Sequence, residues 1–261
     1  MILRGNFPSE TLHMSTNIQM LIPSHGSGPF RAVYLMHGLH GDQGTWLDNT
    51  MLPYYAMKYD AVFVIPEAGR SFYADLIYGR KYFSYVSGEL PLICKKYFNL
   101  APARENTAIM GCSMGAYGAL RMSLTFPERY GFCGAVSPAC LYFKELLDAL
   151  RKDPNPYLKT GHEAEETLKD LHAIYGPNLE YNPNYDVIKV MQNFSNPKAG
   201  PKIYMTCGTK DKLNEENIRF RDEIKARPFD YTYEEWEGTH DWYFFNDALK
   251  KTLEFWYMGA S

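Results

Sequence analysis

Short apolar segments rich in β-branched and aromatic residues recur along the chain, and stretches that suit helices separate them. The five clearest segments are 31–37, 61–66, 107–110, 132–137 and 202–206. Continuous apolar runs of this length are typical of strands in a parallel sheet, because both faces of such a sheet are buried. Segments such as 89–98 and 116–126 favour helices between the strands. The alternation predicts an α/β domain with a mostly parallel central sheet flanked by helices.

Three regions depart from this alternation. Residues 10–23 alternate more loosely between apolar and polar side chains and predict one or two antiparallel edge strands. Residues 138–201 show no strand pattern, and two segments within them favour helices. Residues 242–258 predict an amphipathic C-terminal helix. We therefore expect residues 1–261 to form a single domain, with 138–201 as a helical cap insertion.

The composition excludes several classes of protein. The chain has 261 residues, with 27 Lys+Arg against 30 Asp+Glu and a formal charge of −3. Near-neutral charge without a basic cluster argues against a nucleic-acid or membrane partner. No apolar run is long enough for a membrane span, and the N-terminus lacks the apolar core of a signal peptide. Five cysteines without metal-binding spacing fit free thiols, so we expect a cytoplasmic protein.

The segment 107–118 carries the most informative motif. A strand pattern ends in Gly-Cys-Ser-Met-Gly at 111–115, and a helical pattern begins at once. This is the G-x-S-x-G nucleophile elbow in its strand–turn–helix context, which disfavours the alternative of a turn with a capping serine. The tight turn leaves no room for side chains two positions from the serine. We expect the Ser113 hydroxyl to stand above the sheet edge, with the Met114 amide as an oxyanion donor.

The serine hydroxyl needs a base that accepts its proton, and histidine is the usual one. In α/β hydrolases the acid and the histidine follow the serine in the chain, which leaves His162, His172 and His240. The first two lie in the cap insertion. His240 lies in a loop between a β-prone segment and the final helix, at the sheet edge where this class of fold presents its chemistry. We therefore predict His240 as the base.

The acid is expected in the loop that follows the 202–206 run, where Asp211 lies. There it would orient His240 and stabilise the imidazolium that forms during attack. A turn or helix-cap aspartate is the alternative role for Asp211. Three other carboxylates fit less well, because they adjoin the histidine or lie outside any sheet-edge loop: Asp241, Asp170 and Asp186.

A second oxyanion donor is expected after the first strong strand, where the chain reads His37-Gly-Leu-His-Gly41. Glycines let the backbone approach a substrate, so the Leu39 amide is the predicted donor. His37 and His40 have no carboxylate–histidine companion pattern, so we expect no metal and no other cofactor. His37 is instead expected to stiffen the loop by hydrogen bonding.

Five motifs in order along residues 30–258 resemble the esterase D group of α/β hydrolases. They are HGLHGDQGTW (37–46), FYADLIYG (72–79), GELP (88–91), GCSMGAYGAL (111–120) and GTHDW (238–242). This group includes S-formylglutathione hydrolases, tributyrin and acetyl esterases, cinnamoyl esterases and mycolyltransferases. The resemblance implies an α/β-hydrolase fold. It assigns the triad to Ser113, Asp211 and His240, and the oxyanion donors to Leu39 and Met114.

Aromatic residues near these motifs are candidates for substrate binding. We predict that Trp46 and Trp242 line an acyl or alcohol pocket, with core packing as the alternative. Tyr73 and Asp75 match the family's aromatic–x–Asp segment beside the cleft, and a structural hydrogen bond is the favoured role for Asp75.

We therefore expect a serine carboxylesterase that acts through an acyl-enzyme on Ser113. Its expected substrates are short-chain esters, acetyl to butyryl, or cinnamoyl esters, including those on plant polysaccharide fragments. The alternatives are a thioesterase of the S-formylglutathione hydrolase type, an acyltransferase, and a non-catalytic binding protein with the same fold. The expected partner is a small-molecule or oligosaccharide ester, and assembly into a homo-oligomer stays open.

Overall fold

A computed structural model describes residues 1–158 and 161–258, in which one eight-stranded sheet has the order β1-β2-β4-β3-β5-β6-β7-β8. The strands are β1 (Ile2–Ser9), β2 (Met14–Leu21), β3 (Arg31–Met36), β4 (Ala61–Pro66), β5 (Thr107–Cys112), β6 (Phe132–Val136), β7 (Lys202–Gly208) and β8 (Tyr231–Trp236). β1 and β2 form an antiparallel hairpin, and β2 pairs antiparallel with β4. All remaining pairs are parallel, which brings the carboxyl ends of β3 to β8 to one edge.

Helices connect the parallel strands. They are α1 (Thr45–Asn49), α2 (Leu52–Ala56), α3 (Tyr82–Ser84), α4 (Leu90–Tyr97), α5 (Met114–Thr125), α6 (Phe143–Lys152), α7 (Asn155–Leu158), α8 (His162–Tyr175), α9 (Val187–Gln192), α10 (Asn214–Lys225) and α11 (Trp242–Met258). A π-helical turn at Tyr85–Glu89 joins α3 to α4, and 3₁₀ turns occur at Arg104–Asn106, Pro183–Tyr185 and Pro197–Ala199. Within the described residues, no helix is long and apolar enough to cross a membrane.

The central strands β3 to β7 are buried on both faces, as their continuous apolar sequences require, whereas the outer strands β1 and β8 are partly exposed. Along β3, Tyr34 and Met36 pack in one apolar cluster with residues of α5. The alternate residues Val33 and Leu35 pack in a second cluster with residues of α11 on the opposite face. Alternation of side chains along a strand thus supplies two apolar layers, one on each side of the sheet.

The predicted fold class, an α/β-hydrolase fold with a mostly parallel sheet, is confirmed. The described part of 138–201 contains α6 to α9 and no strand, and it lies between β6 and β7. Whether residues 1–261 form one domain stays a prediction, and part of that span, residues 159, 160 and 259–261, lies outside the described residues. Several elements differ from expectation: β1 begins at Ile2, well before residue 10, and the helices α1, α2, α3 and α10 had no predicted counterpart.

Candidate active site

Ser113 lies at the turn between β5 and α5, with φ 54° and ψ −120°. A positive φ is strained for a residue with a side chain, and such strain persists where the surroundings hold it. The flanking glycines show why the turn is so tight. A Cβ on Gly111 would lie 2.5 Å from the carbonyl carbon of Gly115, and a Cβ on Gly115 would lie 2.7 Å from the His37 carbonyl oxygen. The elbow therefore packs directly against the end of β3.

The structure brings together the three residues that chain order predicts. His240 Nε2 lies 3.0 Å from Ser113 Oγ, and His240 Nδ1 lies 2.8 Å from Asp211 Oδ2. Because an ionised carboxylate only accepts hydrogen bonds, Nδ1 carries the proton and Nε2 is left as the acceptor for the serine hydroxyl. This is the tautomer that a base acting on Ser113 requires.

Asp211 is an ionised carboxylate in a buried setting. Burial acts to raise the pKa of Asp211, but hydrogen bonds from His240 and from the Leu213 amide hold that pKa below its ordinary value. The rival Asp241 has a different task. It accepts hydrogen bonds from the Phe244 amide and the Thr239 hydroxyl at the start of α11, so it serves as a helix cap.

The two predicted oxyanion donors line the same cavity as Ser113 and His240. In the part of the chain that the structure describes, neither the Leu39 nor the Met114 amide donates a hydrogen bond to another protein atom. Met114 is the first residue of α5, so its free N–H lies at the positive end of the helix. Both amides are thus available to an oxygen that develops negative charge.

His37 fixes the direction of the Leu39 amide. Its Nδ1 lies 2.8 Å from the Gly38 carbonyl oxygen, which also accepts from the Gly41 amide at 3.0 Å. In a trans peptide the C=O and the following N–H point in opposite directions, so holding the Gly38 carbonyl aims the Leu39 N–H. The Ala68 amide donates to His37 Nε2 at 3.0 Å, which fixes the ring. The expectation that His37 stiffens this loop by hydrogen bonding agrees with these contacts.

Burial keeps His37 neutral, although its hydrogen bond to the Gly38 carbonyl acts to raise its pKa. The ring is fully buried, and burial, the largest effect, lowers the pKa of His37 below its ordinary value of 6.5. Glu67 lies 3.9 Å from Nε2 and acts in the opposite direction, but burial prevails. His40, three residues further on, is exposed and lies 3.6 Å from Glu163 of α8. The two histidines therefore occupy separate environments.

A cavity of about 430 Å³ opens above Ser113. Its walls carry apolar side chains, among them Phe72, Trp242 and Phe245. Glu163 and Thr167 of α8 also line it, so the cap insertion contributes to the site. Sequence reasoning missed Phe72 and Phe245. The available signals were the adjacency of Phe72 to Tyr73 and the i, i+3 spacing of Phe245 from Trp242, which places both on one helix face.

The prediction that Trp46 lines the pocket is wrong. Trp46 is fully buried and does not reach the cavity; its indole N–H donates to the Met36 carbonyl oxygen at 3.0 Å. Its ring meets Trp242 edge-on, with the ring centroids 5.4 Å apart. Trp46 therefore packs behind Trp242, whereas Trp242 does line the cavity. The buried indole has a local partner for its N–H, which is why core packing prevails.

Asp75 has the structural role that the sequence favoured. Its carboxylate accepts from the Ser84 amide at 3.0 Å and from the Ser84 hydroxyl at 2.6 Å. These bonds join the segment that contains Tyr73 to the end of α3 and leave Asp75 outside the cavity.

The parallel sheet and the serine elbow define a serine hydrolase of the α/β-hydrolase fold. The family model described as "Putative esterase" matches residues 9–256, and the chain belongs to this esterase family. The resemblance to esterases seen in the sequence is thereby confirmed, and the chain is a serine esterase, a carboxylic ester hydrolase.

Similar proteins agree with this assignment. An acetyl esterase of Caldicellulosiruptor saccharolyticus is 30% identical over an alignment of 264 positions, gaps included, that covers 97% of each chain. The structure of FphF, a fluorophosphonate-binding serine hydrolase of Staphylococcus aureus, matches with a TM-score of 0.84 at 24% identity and covers 98% of each chain. An S-formylglutathione hydrolase of Agrobacterium tumefaciens matches with a TM-score of 0.81 at 20% identity, covering 100% of this chain and 96% of that one. At these identities the two structures establish the fold.

Proposed function

We propose that this esterase hydrolyses short-chain acyl esters, acetyl to butyryl, with Ser113 as the nucleophile, His240 as the base and Asp211 as the acid. The observation that carries the proposal is the continuous pair of hydrogen bonds from Ser113 Oγ through His240 to Asp211. The 30% identical acetyl esterase supports acetyl as one of the acyl groups.

Acylation begins when Ser113 Oγ attacks the ester carbonyl carbon and His240 Nε2 takes the hydroxyl proton. The carbonyl oxygen becomes an oxyanion, which the Leu39 and Met114 amides stabilise. The carbonyl then re-forms, the C–O bond to the alcohol breaks, and His240 gives its proton to the leaving alkoxide. Asp211 stays ionised throughout and stabilises the transient imidazolium.

Deacylation repeats these steps with water in place of the serine. His240 removes a proton from water, the hydroxide attacks the acyl-enzyme carbonyl, and Ser113 Oγ leaves with the proton from His240. An alcohol that replaced water at this step would make the protein an acyltransferase. The products of hydrolysis are the free alcohol and the carboxylic acid.

The cavity wall supports an apolar acyl group. Phe72, Trp242 and Phe245 offer aromatic surface beside Ser113, and a volume of about 430 Å³ also admits a cinnamoyl group. Cinnamoyl esters on plant polysaccharide fragments are therefore included in the proposed substrate range. The alcohol leaves past the α8 side of the cavity, where the exposed carboxylate of Glu163 supplies a polar contact.

S-formylglutathione hydrolysis is the second candidate, and one rim residue favours it. Lys212 lines the cavity and is exposed, so its ammonium group can receive a carboxylate of a charged thiol such as glutathione. A thioester would follow the same acyl-enzyme route.

A substrate panel tests the proposal. The p-nitrophenyl esters of acetate and butyrate, ethyl ferulate and S-formylglutathione are compared by kcat/KM, with Ser113→Ala as the control. We expect the highest values for the acetyl or butyryl ester and no turnover above background for Ser113→Ala. A preference for S-formylglutathione would favour the second candidate. Activity retained by a folded Ser113→Ala variant would refute both candidate functions, because each requires Ser113 as the nucleophile.

We also propose that the protein works in the cytoplasm. All five cysteines are free thiols, and four of them are buried. Free thiols are typical of a reducing compartment. Cell fractionation with an antibody against the native protein tests this, and recovery from the extracellular fraction would contradict it.

A further inference from the structure

Two consecutive residues beside the cavity adopt a backbone conformation that side chains disfavour. Phe72 has φ 48° and Tyr73 has φ 50°, and both are buried. Phe72 lines the cavity, whereas Tyr73 does not. Left-handed conformations at neighbouring residues that are not glycine persist only where the surroundings hold them, and such strain clusters at functional sites.

The Tyr73 side chain reaches the oxyanion loop, which we define as residues 37–41. Its hydroxyl donates to the His37 carbonyl oxygen at 3.0 Å, and its ring lies 5.9 Å from the His37 ring, centroid to centroid. Burial raises the pKa of Tyr73 well above its ordinary value, so the hydroxyl remains a donor. This bond fixes the peptide just before Gly38, whose carbonyl sets the direction of the Leu39 amide.

A glycine of α5 makes room for this tyrosine. A Cβ on Gly118 would lie 2.6 Å from Tyr73 Cδ2 and 2.8 Å from Tyr73 Cγ. Gly118 belongs to the longer GCSMGAYGAL segment (111–120) but lies outside the G-x-S-x-G turn at Ser113, so the elbow itself does not require it. The close approach of the Tyr73 ring does require it.

A buried arginine holds the Tyr73 backbone. Arg121 Nη1 donates to the Tyr73 carbonyl oxygen at 3.3 Å. Its guanidinium lies 4.0 Å from the ring centroid of Phe83 and 4.4 Å from that of Tyr185. Arg121 is only 1% exposed, and aromatic faces on a desolvated guanidinium offset part of the cost of burying its charge. Arg121 therefore secures the strained turn from the α5 side.

We propose that Tyr73 is a positioning residue for the oxyanion loop. Arg121 holds the Tyr73 backbone by a hydrogen bond to its carbonyl oxygen, and the missing side chain of Gly118 leaves room for the Tyr73 ring. Tyr73 touches neither substrate nor triad and acts through the His37 carbonyl on the Leu39 amide. The inference rests on the proposed function, because a misdirected amide matters only if it stabilises an oxyanion.

Tyr73→Phe removes the hydroxyl and leaves the ring in place. Complete loss of one oxyanion donor costs about 10²–10³ in turnover, so a misaligned donor should lower kcat about tenfold. KM for p-nitrophenyl butyrate should change less than about twofold, because the ground-state ester makes weaker use of the amides. The inhibition constant of an alkylboronic acid, which forms a tetrahedral adduct on the serine, should rise by the same factor as kcat falls.

Tyr185→Phe is the matched control. It deletes a hydroxyl that donates to the Asp75 carbonyl oxygen at 3.1 Å, in the same segment but not in the oxyanion loop, and it keeps the ring that lies against Arg121. It should leave kcat and the boronate inhibition constant within about twofold of wild type. Each rate is divided by the amplitude of the initial burst of p-nitrophenol, which measures the concentration of active sites. An unfolded fraction of a variant therefore does not lower its apparent kcat.

Unchanged kcat and boronate affinity in Tyr73→Phe would overturn the proposal. So would an equal loss in Tyr185→Phe, since that would indicate a general structural role for the segment. Failure of the proposed function is distinguishable, because the wild-type protein would then show no burst and no ester turnover.

Discussion

His37→Ala tests the hydrogen bonds that hold the oxyanion loop. The substitution leaves the Ala68 N–H without its acceptor, and Ala68 is fully buried. A buried donor left unpaired costs about 1–3 kcal/mol, and the space vacated by the imidazole adds about 1–2 kcal/mol. We expect a loss of about 2–5 kcal/mol in the free energy of unfolding at neutral pH. His40→Ala is the matched control, since that side chain is 64% exposed and its removal should cost less than about 0.5 kcal/mol.

The effect of His37 should depend on pH with a definite sign. The pKa of His37 is lowered in the folded state, so the unfolded chain takes up the proton first as the pH falls. The stability that neutral His37 contributes is complete above about pH 6.5 and is lost as the pH falls through its folded pKa. The difference between wild type and His37→Ala should therefore shrink on acidification.

Urea denaturation of wild type, His37→Ala and His40→Ala at several pH values between about 5 and 8 measures both effects. Turnover of p-nitrophenyl acetate, normalised to the burst, should also fall in His37→Ala by up to the worth of one oxyanion donor, about 10²–10³. A His37→Ala variant no less stable than His40→Ala would refute the reasoning, as would a difference that grows as the pH falls.

Three further predictions follow from the site. Asp211→Asn should lower kcat for p-nitrophenyl acetate by about 10⁴, because an amide favours the wrong His240 tautomer; a loss below tenfold would contradict this. Gly115→Ala should lower the free energy of unfolding in urea by about 1–3 kcal/mol, since its Cβ would crowd the end of β3, and unchanged stability would count against that packing. Trp46→Phe should lower the melting temperature without changing KM, whereas Trp242→Ala should raise KM for butyryl esters. A raised KM in Trp46→Phe with an unchanged KM in Trp242→Ala would contradict the placement of Trp46 in the core and Trp242 at the cavity.

Much of the fold follows from local pattern. β4 and α11 have the bounds that the sequence predicts, because apolar runs and helical periodicity are properties of the segment itself. β1 did not follow from the sequence. It contains Gly5 and Pro8, both poor strand residues, and its pairing with β2 over its whole length compensates for them.

The site, like the fold, has features that local sequence pattern predicts and features that it does not. The juxtaposition of Ser113, Asp211 and His240 could be anticipated, since each follows a strand of one parallel sheet and the carboxyl ends of those strands meet. The orientation of Trp46 depends on an acceptor in another element, and the left-handed backbone at Tyr73 depends on Arg121. Such tertiary contacts leave no periodic signal in the chain.

Covalent labelling tests the central claim, that Ser113 is the nucleophile, most directly. Native protein is treated with a fluorophosphonate, and the adduct is measured by intact mass and located by peptide mapping. We predict one adduct per chain, on Ser113, with parallel loss of esterase activity and no adduct on Ser113→Ala. An adduct on another residue, or full esterase activity after Ser113 has been labelled, would contradict the account.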